Sequence, residues 1–271
     1  MIVAIQGELG SFHHAAAQVY FGDTVTIMPC DSFPAVFDTL SRHEADIALV
    51  AIENSLYGSI NEVYDLIEKH RYPLTGEVFL RIEQQLIGLP AASLSNITAI
   101  YSHPVALAQC EQYLDSNFPG AKRISYHDTA AAVEYVSNKQ NPHIAAIASR
   151  AAASLHNLSV LDSNVEDNKT NYTRFVAISR TASKKNDAHN KASLVLETDH
   201  QPGSLAKILS IFSARGINMT KLQSRPIIGE AWTYRFYIDI EITPSALESL
   251  LPEVAKFGAD CHVLGTYASN R

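Results

Sequence analysis

Residues 171–175, Asn-Tyr-Thr-Arg-Phe, bring an amide, a hydroxyl, a guanidinium and an aromatic ring together within five positions. The apolar residues 176–178 that follow predict a β-strand, in which successive side chains alternate between two faces. Asn171, Thr173 and Phe175 then lie on one side and Arg174 on the other. Where the strand begins, Arg174 could still reach into a cleft and hold a carboxylate through a two-pronged hydrogen bond. A strand start with a surface arginine and a core phenylalanine is the simpler interpretation.

The composition limits the classes of function. Of the 271 residues, 46% are hydrophobic and 18% are charged, which is typical of a soluble globular protein. The net charge of −7 and the absence of a lysine- or arginine-rich stretch argue against nucleic acid as a partner. Three widely spaced cysteines (Cys30, Cys110 and Cys261) lack the spacing of a metal site and predict reduced thiols in a cytoplasm. We expect no signal peptide, because residues 1–4 begin a strand at once, and no membrane span, because no apolar run approaches roughly 20 residues.

Short apolar strands followed by a polar turn and an amphipathic helix recur along the first 155 residues. Ser11 and Ser32 are placed to cap helices, and 59–62 has the pattern of a capping box. Such repeated units predict an α/β fold with mostly parallel sheets. The predicted strands lie at 2–5, 25–28, 47–52, 97–101, 124–126 and 144–148.

Polar residues fall at the carboxyl ends of these strands, where ligands bind in parallel α/β sheets. We therefore predict a cleft whose wall is formed by 7–11, 53–55, 102–103, 128–129 and Ser149. A long extended stretch at 74–89 predicts a crossing into a second lobe, and the strand that contains Thr173 predicts the return. This arrangement gives two α/β lobes joined by two connections, with 171–175 at the hinge.

The last quarter of the chain changes pattern after a polar segment at 180–192. Strands at 193–198, 219–223, 232–242 and 261–265 alternate with two helices in the order β-α-β-β-α-β. About 75 residues in this order predict a small ferredoxin-like α+β domain. It holds no close pair of catalytic side chains, so binding or dimerisation is its expected role.

Several ordered segments resemble the prephenate dehydratase family over essentially the whole chain. They are Asn171-x-Thr173-Arg174-Phe175, Glu53-Asn54-Ser55-x-x-Gly58, Ser102-His103-Pro104 with Gln109-Cys110, and Asp128-Thr129-Ala130. The last quarter resembles an ACT domain, with 202–205 and 223–226 at its two regulatory motifs. Three positions depart from the family pattern: Ser11 replaces a threonine, Ser204 an alanine and Gln223 a glutamate. Loss of that negative charge at Gln223 bears on the strength of effector binding.

The resemblance implies a two-lobed catalytic domain of the periplasmic-binding-protein type at 1–180, with lobes at about 1–75 plus 168–180 and at about 76–167. A linker at 181–192 and an ACT regulatory domain at 193–271 follow. No chorismate mutase domain is expected before Met1, so the chain is expected to be monofunctional. The ACT domain is expected to join chains into a homodimer or a homotetramer.

The implied reaction removes CO₂ and water from prephenate to give phenylpyruvate, and aromatisation drives it without a cofactor or metal. The resemblance implies that the catalytic residues are Thr173, Glu53, Asn54, Ser102 and Gln109. Substrate-binding residues are Arg174, Ser11, Ser55, Phe175 and Asn171. L-phenylalanine is the expected effector, bound by Pro202, Gly203, Ser204, Leu205, Asn218, Gln223, Ser224, Arg225 and Pro226. His13 and His14 are interpreted as helix surface residues.

Two alternatives stay open. An arogenate dehydratase acts on a substrate with an amino group in place of the keto group, and inspection of the sequence does not separate the two enzymes. A non-catalytic two-lobed sensor with an ACT domain would also have polar residues at its strand ends, because a fold does not by itself define an activity. Turnover of the bound molecule distinguishes a sensor from either enzyme.

Overall fold

The computed structural model describes residues 1–183, 186–198, 201–227, 229–230, 233–256 and 260–269. Residues 184–185 of the expected linker and Trp232, at the expected start of a strand, lie outside the described residues. The chain divides into one unit at Met1–Lys69 with Val78–Phe175 and another at His70–Glu77 with Val176–Arg271. Because two strands run from one unit into the other, the domain boundaries expected near 75, 168 and 180 stay predictions.

The helices in chain order are α1 (Phe12–Phe21), α2 (Phe33–Ser41), α3 (Asn61–His70), α4 (Pro104–Gln109), α5 (Glu111–Asn117), α6 (Thr129–Lys139), α7 (Arg150–Leu155), α8 (Ser204–Ala214) and α9 (Pro244–Ala255). The strands are β1 (Ile2–Gln6), β2 (Thr26–Cys30), β3 (Ile47–Asn54), β4 (Gly58–Ser59), β5 (Leu74–Arg81), β6 (Gln85–Gly88), β7 (Ala99–Ser102), β8 (Lys122–Ser125), β9 (Ile144–Ala148), β10 (Ser159–Ser163), β11 (Tyr172–Ser179), β12 (Lys191–Glu197), β13 (Met219–Pro226), β14 (Tyr234–Glu241) and β15 (Asp260–Tyr267).

The first sheet has the order β2-β1-β3-β11-β5, with β4 beside β3. β1 is parallel to β2 and to β3, so that Val3 lies opposite Ile27 on one side and Ile47 on the other. The centre of β1 is fully buried, which explains its unbroken apolar run. The two single-serine caps are confirmed, because Ser11 and Ser32 each accept a hydrogen bond from a backbone N–H three residues later.

The helix expected from the capping box at 59–62 is present and begins at Asn61. Ser59 also belongs to β4, where it lies opposite Glu53 of β3. The start of α3 therefore directly follows a short hairpin between β3 and β4.

The second sheet has the order β10-β6-β9-β7-β8 and is mixed. β7 is parallel to β8 and β9, whereas β6 is antiparallel to β9 and β10. α6 starts after Asp128, which accepts hydrogen bonds from two first-turn amides, and α7 starts after Ser149. The helix expected around 109–110 is split, because α4 ends at Gln109 and α5 begins at Glu111. The chain crosses between the two sheets at 82–84 and again at 164–171.

The last quarter forms an antiparallel sheet in the order β13-β14-β12-β15, with α8 after β12 and α9 after β14. This is the expected β-α-β-β-α-β order, and the ferredoxin-like prediction is confirmed. Both helices and the sheet share one apolar core, which contains Leu194, Ile208, Phe212, Ile240 and Leu250. Among the described residues, no helix has both the length and the apolar character required to cross a membrane.

Candidate active site

A cavity of about 360 Å³ lies between the strand ends of the first two sheets, within the first unit. Five of the predicted catalytic and substrate-binding residues contribute to its lining: Ser11, Asn54, Gln109, Thr173 and Phe175. The volume is within the range of small-molecule sites. Segments far apart along the chain converge here because parallel strands end at a common edge of each sheet.

Asn54 and Thr173 form the central polar contact of the cavity. Nδ2 of Asn54 donates to Oγ1 of Thr173 at 3.0 Å and to Oδ1 of Asn171 at 2.8 Å. The other end of the Asn54 amide is also occupied, since Oδ1 accepts the backbone N–H groups of Leu56 at 2.9 Å and Tyr57 at 3.1 Å. The amide therefore has a defined orientation, and Thr173 receives a hydrogen bond on its oxygen. The hydroxyl proton is not used in this contact.

The alternation predicted for 171–175 is observed, because Thr173 and Phe175 line the cavity and Arg174 does not. The guanidinium of Arg174 instead lies 3.9 Å from a carboxylate oxygen of Glu53 and 6.0 Å from the centre of the Phe79 ring. The expectation that Arg174 reaches into the cleft, and that Glu53 lines it, does not agree with this structure. Strand alternation turns both side chains to the opposite face.

Three further predicted residues have hydrogen-bonding roles outside the cavity lining. Ser102 is fully buried, and its Oγ donates to the backbone oxygen of Ile147 at 2.6 Å, so the hydroxyl joins two strands. Ser55 exchanges hydrogen bonds with the backbone of Tyr172 and so connects the end of β3 to the start of β11. Asn171 is buried beneath Asn54 and accepts its hydrogen bond.

The amide of Gln109 at the end of α4 meets a second glutamine that the sequence analysis did not identify. Nε2 of Gln84, in the crossing between β5 and β6, donates to Oε1 of Gln109 at 3.1 Å. Both side chains line the cavity and are buried. Gln84 lies in a connection without hydrophobic periodicity, inside the stretch that was predicted to be extended. No sequence motif therefore identified it as a site residue.

His13 and His14 are half-buried, whereas the prediction placed both on the helix surface. His13 lines the cavity, its Nε2 accepts the backbone N–H of Ala51 at 3.1 Å, and its ring packs edge-on against Phe175 with centres 5.0 Å apart. Burial lowers the pKa of His13 to about 3, so the ring is neutral at pH 7. His14 accepts the N–H of Gly10 at 2.9 Å, and burial lowers its pKa as well. The position of His13 in the first turn of a helix that starts at the predicted cleft could have identified it as a cavity residue.

Partial positive charge reaches the cavity from helix N-termini, although the carboxylate of Asp128 also lines it. Within the described part of the chain, its lining includes neither lysine nor arginine. First-turn residues of α1, α4 and α6 lie in the wall, where Ser11, His103 and Asp128 already accept some of the first-turn N–H groups. His103 caps α4; burial lowers its pKa and the nearby Asp128 opposes this, so the imidazole adds no charge. In the described ranges, no group of His, Cys, Asp or Glu side chains could hold a metal ion.

The turn before α1 is closely packed between the two walls. Gly7 and Gly10 have positive φ angles of 88° and 86°, a region that favours glycine. A Cβ added at Gly10 would lie 2.9 Å from Cα of Ala152, and one at Gly7 would lie 2.8 Å from Oδ2 of Asp128. Ser149 completes the contact by donating its hydroxyl to the backbone oxygen of Gly10 at 2.5 Å.

The predicted effector residues fall into two groups in the second unit. Residues 202–205 line a groove together with Leu209, Tyr234 and Phe236. Residues 223–226 instead lie in β13, an edge strand of the sheet, and they do not line the groove of the same chain. Asn218 is also elsewhere, since its Nδ2 donates to Glu241 at 2.9 Å. One chain by itself therefore brings only part of the predicted set together.

Family models and known structures match the chain along most of its length. The prephenate dehydratase model matches residues 3–183 and the ACT domain model matches residues 192–258. The chloroplastic arogenate dehydratase 4 of Arabidopsis thaliana is 37% identical over 285 residues, 98% of this chain and 67% of the relative. The bifunctional chorismate mutase/prephenate dehydratase of Escherichia coli (strain K12) is 34% identical over 273 residues, 98% of this chain and 70% of the relative.

Two solved structures share the fold of the whole chain. GqqA, described as a novel type of quorum quenching acylase, has a TM-score of 0.89 and 31% identity, with 100% of this chain and 98% of that chain covered. The prephenate dehydratase of Arthrobacter aurescens in complex with L-Phe has a TM-score of 0.87 and 30% identity, with 99% and 90% covered. The chain is thus an enzyme that belongs to the prephenate dehydratase family and carries an ACT domain at its C-terminal end.

Proposed function

We propose that the cavity converts prephenate to phenylpyruvate by decarboxylative dehydration, with Thr173 as the residue that acts on the leaving hydroxyl. The observation that carries this assignment is the 3.0 Å hydrogen bond from Asn54 to Oγ1 of Thr173. In this hydrogen bond Oγ1 of Thr173 is the acceptor, so its hydroxyl proton can be donated to a ligand. A hydroxyl polarised in this way is a better hydrogen-bond donor than an isolated one.

The reaction breaks two bonds and forms a benzene ring. The bond between the ring and its carboxylate breaks, its electron pair enters the ring, and the C–O bond at the far ring carbon breaks. The departing oxygen takes up one proton, so that a prephenate dianion and a proton give phenylpyruvate, CO₂ and water. Threonine is a weak acid; Thr173 donates a hydrogen bond as negative charge develops on the leaving oxygen, and the proton comes from solvent.

The wall of the cavity suits a dicarboxylate of this shape. Phe175 and Ile82 supply apolar surface for the ring, and the starts of α1 and α4 supply partial positive charge for carboxylates. Arg174 acts from outside the cavity lining. Its guanidinium pairs with Glu53, which precedes Asn54 at the end of β3. Incubation of the purified protein with prephenate, followed by detection of phenylpyruvate, tests the proposal; binding without turnover would identify a sensor instead.

One observation favours arogenate as a second substrate. Asp128 lines the cavity, and a carboxylate there suits the ammonium group that arogenate has and prephenate lacks. Oδ1 of Asp128 accepts the N–H groups of Ala130 and Ala131 at 2.7 and 3.1 Å, and an asparagine would keep that cap while removing the charge. We expect Asp128→Asn to lower the ratio of arogenate to prephenate turnover. An unchanged ratio would remove Asp128 from substrate selection.

The groove at residues 202–205 is the proposed site for L-phenylalanine as an inhibitor. The apolar side chains of Leu209, Tyr234 and Phe236 would receive the aromatic ring. The amide of Ser204 is already bonded to the backbone oxygen of Gln201 at 3.2 Å, so the amides of Leu205 and Ala206 are the better donors to an amino-acid carboxylate. A second chain would bring its strand β13, with Gln223, to this groove in a dimer or tetramer.

Calorimetry and inhibition assays with L-phenylalanine test the effector site. Tyr234 is 40% exposed, so Tyr234→Ala should fold normally and weaken both binding and inhibition. Inhibition that survives the substitution unchanged would place the effector elsewhere. Sedimentation with and without L-phenylalanine measures the assembly.

The three cysteines are free thiols, which supports the proposed cytoplasmic location.

A further inference from the structure

Gln84 is held by its backbone as well as by its side chain. Its N–H donates to Oε2 of Glu166 at 2.9 Å, and its carbonyl accepts the N–H of Val165 at 2.8 Å. The carboxylate of Glu166 is 1% exposed, and the charged groups of Arg81 and Lys169 each lie 3.8 Å from its other oxygen. The buried Glu166 carboxylate thus holds the backbone of Gln84 in place between β5 and β6.

The same returning segment also holds Gln109. The N–H of Asp167 donates to the backbone oxygen of Gln109 at 2.8 Å, and the Asp167 carboxylate accepts the first amides of α5. The two glutamines are therefore placed by one stretch, 165–167, that leads back toward Thr173. Their amides meet at 3.1 Å with little freedom in either backbone.

This contact defines which end of the Gln109 amide the cavity receives. Its Oε1 accepts from Gln84, so its Nε2 is the end left for a ligand. Among the described residues, Oε1 of Gln84 is a buried acceptor without a hydrogen-bond partner. If both amides were turned over, a buried N–H₂ group of Gln84 would take that place, and proteins tolerate an unpaired buried donor less well than an unpaired acceptor.

We propose that Gln84 is a positioning residue that orients the Gln109 amide so that Nε2 donates to an oxygen of the substrate. The carboxylates and the hydroxyl oxygen of prephenate all accept such a bond, whereas an outward Oε1 would repel a carboxylate. This inference rests on the proposed function. Turnover of prephenate by the wild-type enzyme tests that function separately. If the experiments below contradict the role of Gln84, the proposed function still stands.

Two substitutions of similar size separate orientation from packing. Gln84→Met removes the donor, and we expect kcat/KM for prephenate to fall about 10-fold, as for one lost neutral hydrogen bond. Gln84→Glu replaces the donor by an acceptor, which turns the Gln109 amide over, and we expect a loss of about 100-fold at pH 8. A buried carboxyl beside Glu166 has a raised pKa. Its protonated form donates again, so the activity of this variant relative to wild type should recover as the pH is lowered.

Gln85→Met is the matched control. Gln85 is equally buried, but its amide bonds to Glu83, Asn164 and Arg150 and does not line the cavity. We expect it to lower thermal stability with kcat/KM within twofold of wild type. Circular dichroism would show whether each variant is folded.

A double-mutant cycle gives the decisive result and needs only the methionine variants. If Gln84 acts through Gln109, Gln84→Met combined with Gln109→Met should lose no more activity than Gln109→Met by itself. Losses that multiply would overturn the proposal, and so would a folded Gln84→Met enzyme with wild-type kcat/KM. If Gln84→Glu does not fold, the cycle still decides the question.

Discussion

Lys191 and Glu77 form a buried, two-pronged ion pair in the second unit. Nζ of Lys191 lies 2.9 Å from Oε1 and 2.8 Å from Oε2 of Glu77, and the hydroxyl of Ser269 donates to Oε1 at 2.8 Å. The side chains are 3% and 0% exposed. Lys191 begins β12 and Glu77 lies in β5, so the pair joins these two strands within the second unit. Nearby, a Cβ added at Gly265 of β15 would lie 2.0 Å from the backbone oxygen of Leu74 in β5, which leaves no room for any side chain.

Removal of one partner of this pair should destabilise the protein strongly. Lys191→Met leaves the Glu77 carboxylate buried without its counter-ion, and we expect the free energy of unfolding to fall by about 3–5 kcal/mol. Urea denaturation measures the loss. Adding Glu77→Leu to Lys191→Met should restore much of the stability, because a buried pair replaced by apolar side chains is often neutral. A single variant as stable as wild type would contradict a fully desolvated pair.

Thr173→Ala should keep the fold and lose most turnover. One lost hydroxyl changes stability by about 1 kcal/mol, whereas a lost hydrogen bond in the transition state typically lowers kcat about 10²–10³-fold. Thr173→Ser retains the hydroxyl and is the matched control, with kcat expected within about 10-fold of wild type. Steady-state kinetics with prephenate make the comparison. Near-normal kcat for Thr173→Ala would exclude this role.

Asn54→Asp should disable the Thr173 hydroxyl without removing it. The new carboxylate still accepts the N–H groups of Leu56 and Tyr57, but it accepts from Thr173 where Nδ2 donated, so the Thr173 proton turns away from the substrate. We expect kcat to fall about 10–100-fold with a smaller change in KM. An unchanged kcat would show that the Asn54 amide does not control the orientation of the Thr173 hydroxyl.

His13 should make the stability depend on pH. The pKa of His13 is about 3 in the folded protein and about 6.5 in the unfolded chain. Between these values the unfolded chain binds more protons than the folded protein. The contribution of His13 to the free energy of unfolding is therefore complete above pH 6.5 and is lost as the pH falls toward 3. This contribution changes by at most about 1.4 kcal/mol per pH unit.

The comparison for His13 is a pair of stability curves measured by urea denaturation between pH 4 and 8. His13→Gln keeps an acceptor for the Ala51 N–H and removes the titrating ring. The difference between wild type and variant should widen in favour of wild type as the pH rises to 6.5 and then stay level. Parallel curves would show that His13 titrates normally.

Gly10→Ala should cost more than Gly22→Ala. Both glycines have positive φ, at 86° and 82°, so an alanine is strained at either by roughly 1–3 kcal/mol. Only at Gly10 does the added methyl meet Ala152, whereas nothing lies within 4 Å at Gly22. We expect Gly10→Ala to lose a further 1–3 kcal/mol from overpacking, together with activity, and Gly22→Ala to keep its activity. Equal losses in thermal melts would contradict the close packing of the turn.

Features that depend on local pattern were predictable from the amino-acid sequence. Alternation in 171–175 correctly separated Thr173 and Phe175 from Arg174, because a strand has a period of two whatever surrounds it. The serines at 11 and 32 were correctly identified as caps, because capping involves groups three residues apart. The α/β units and the order of the ACT domain followed from hydrophobic periodicity in the same way.

The distant group that each side chain contacts depends on the three-dimensional fold. Ser102 bonds to Ile147, Arg174 pairs with Glu53, His13 accepts from Ala51 and Gln84 orients Gln109. A pattern of period two or 3.6 shows which face a residue occupies, but not what lies opposite that face. Buried polar groups must be paired, and their partners here come from strands and loops far apart in the chain. These roles therefore exist only once the two sheets have brought those segments together.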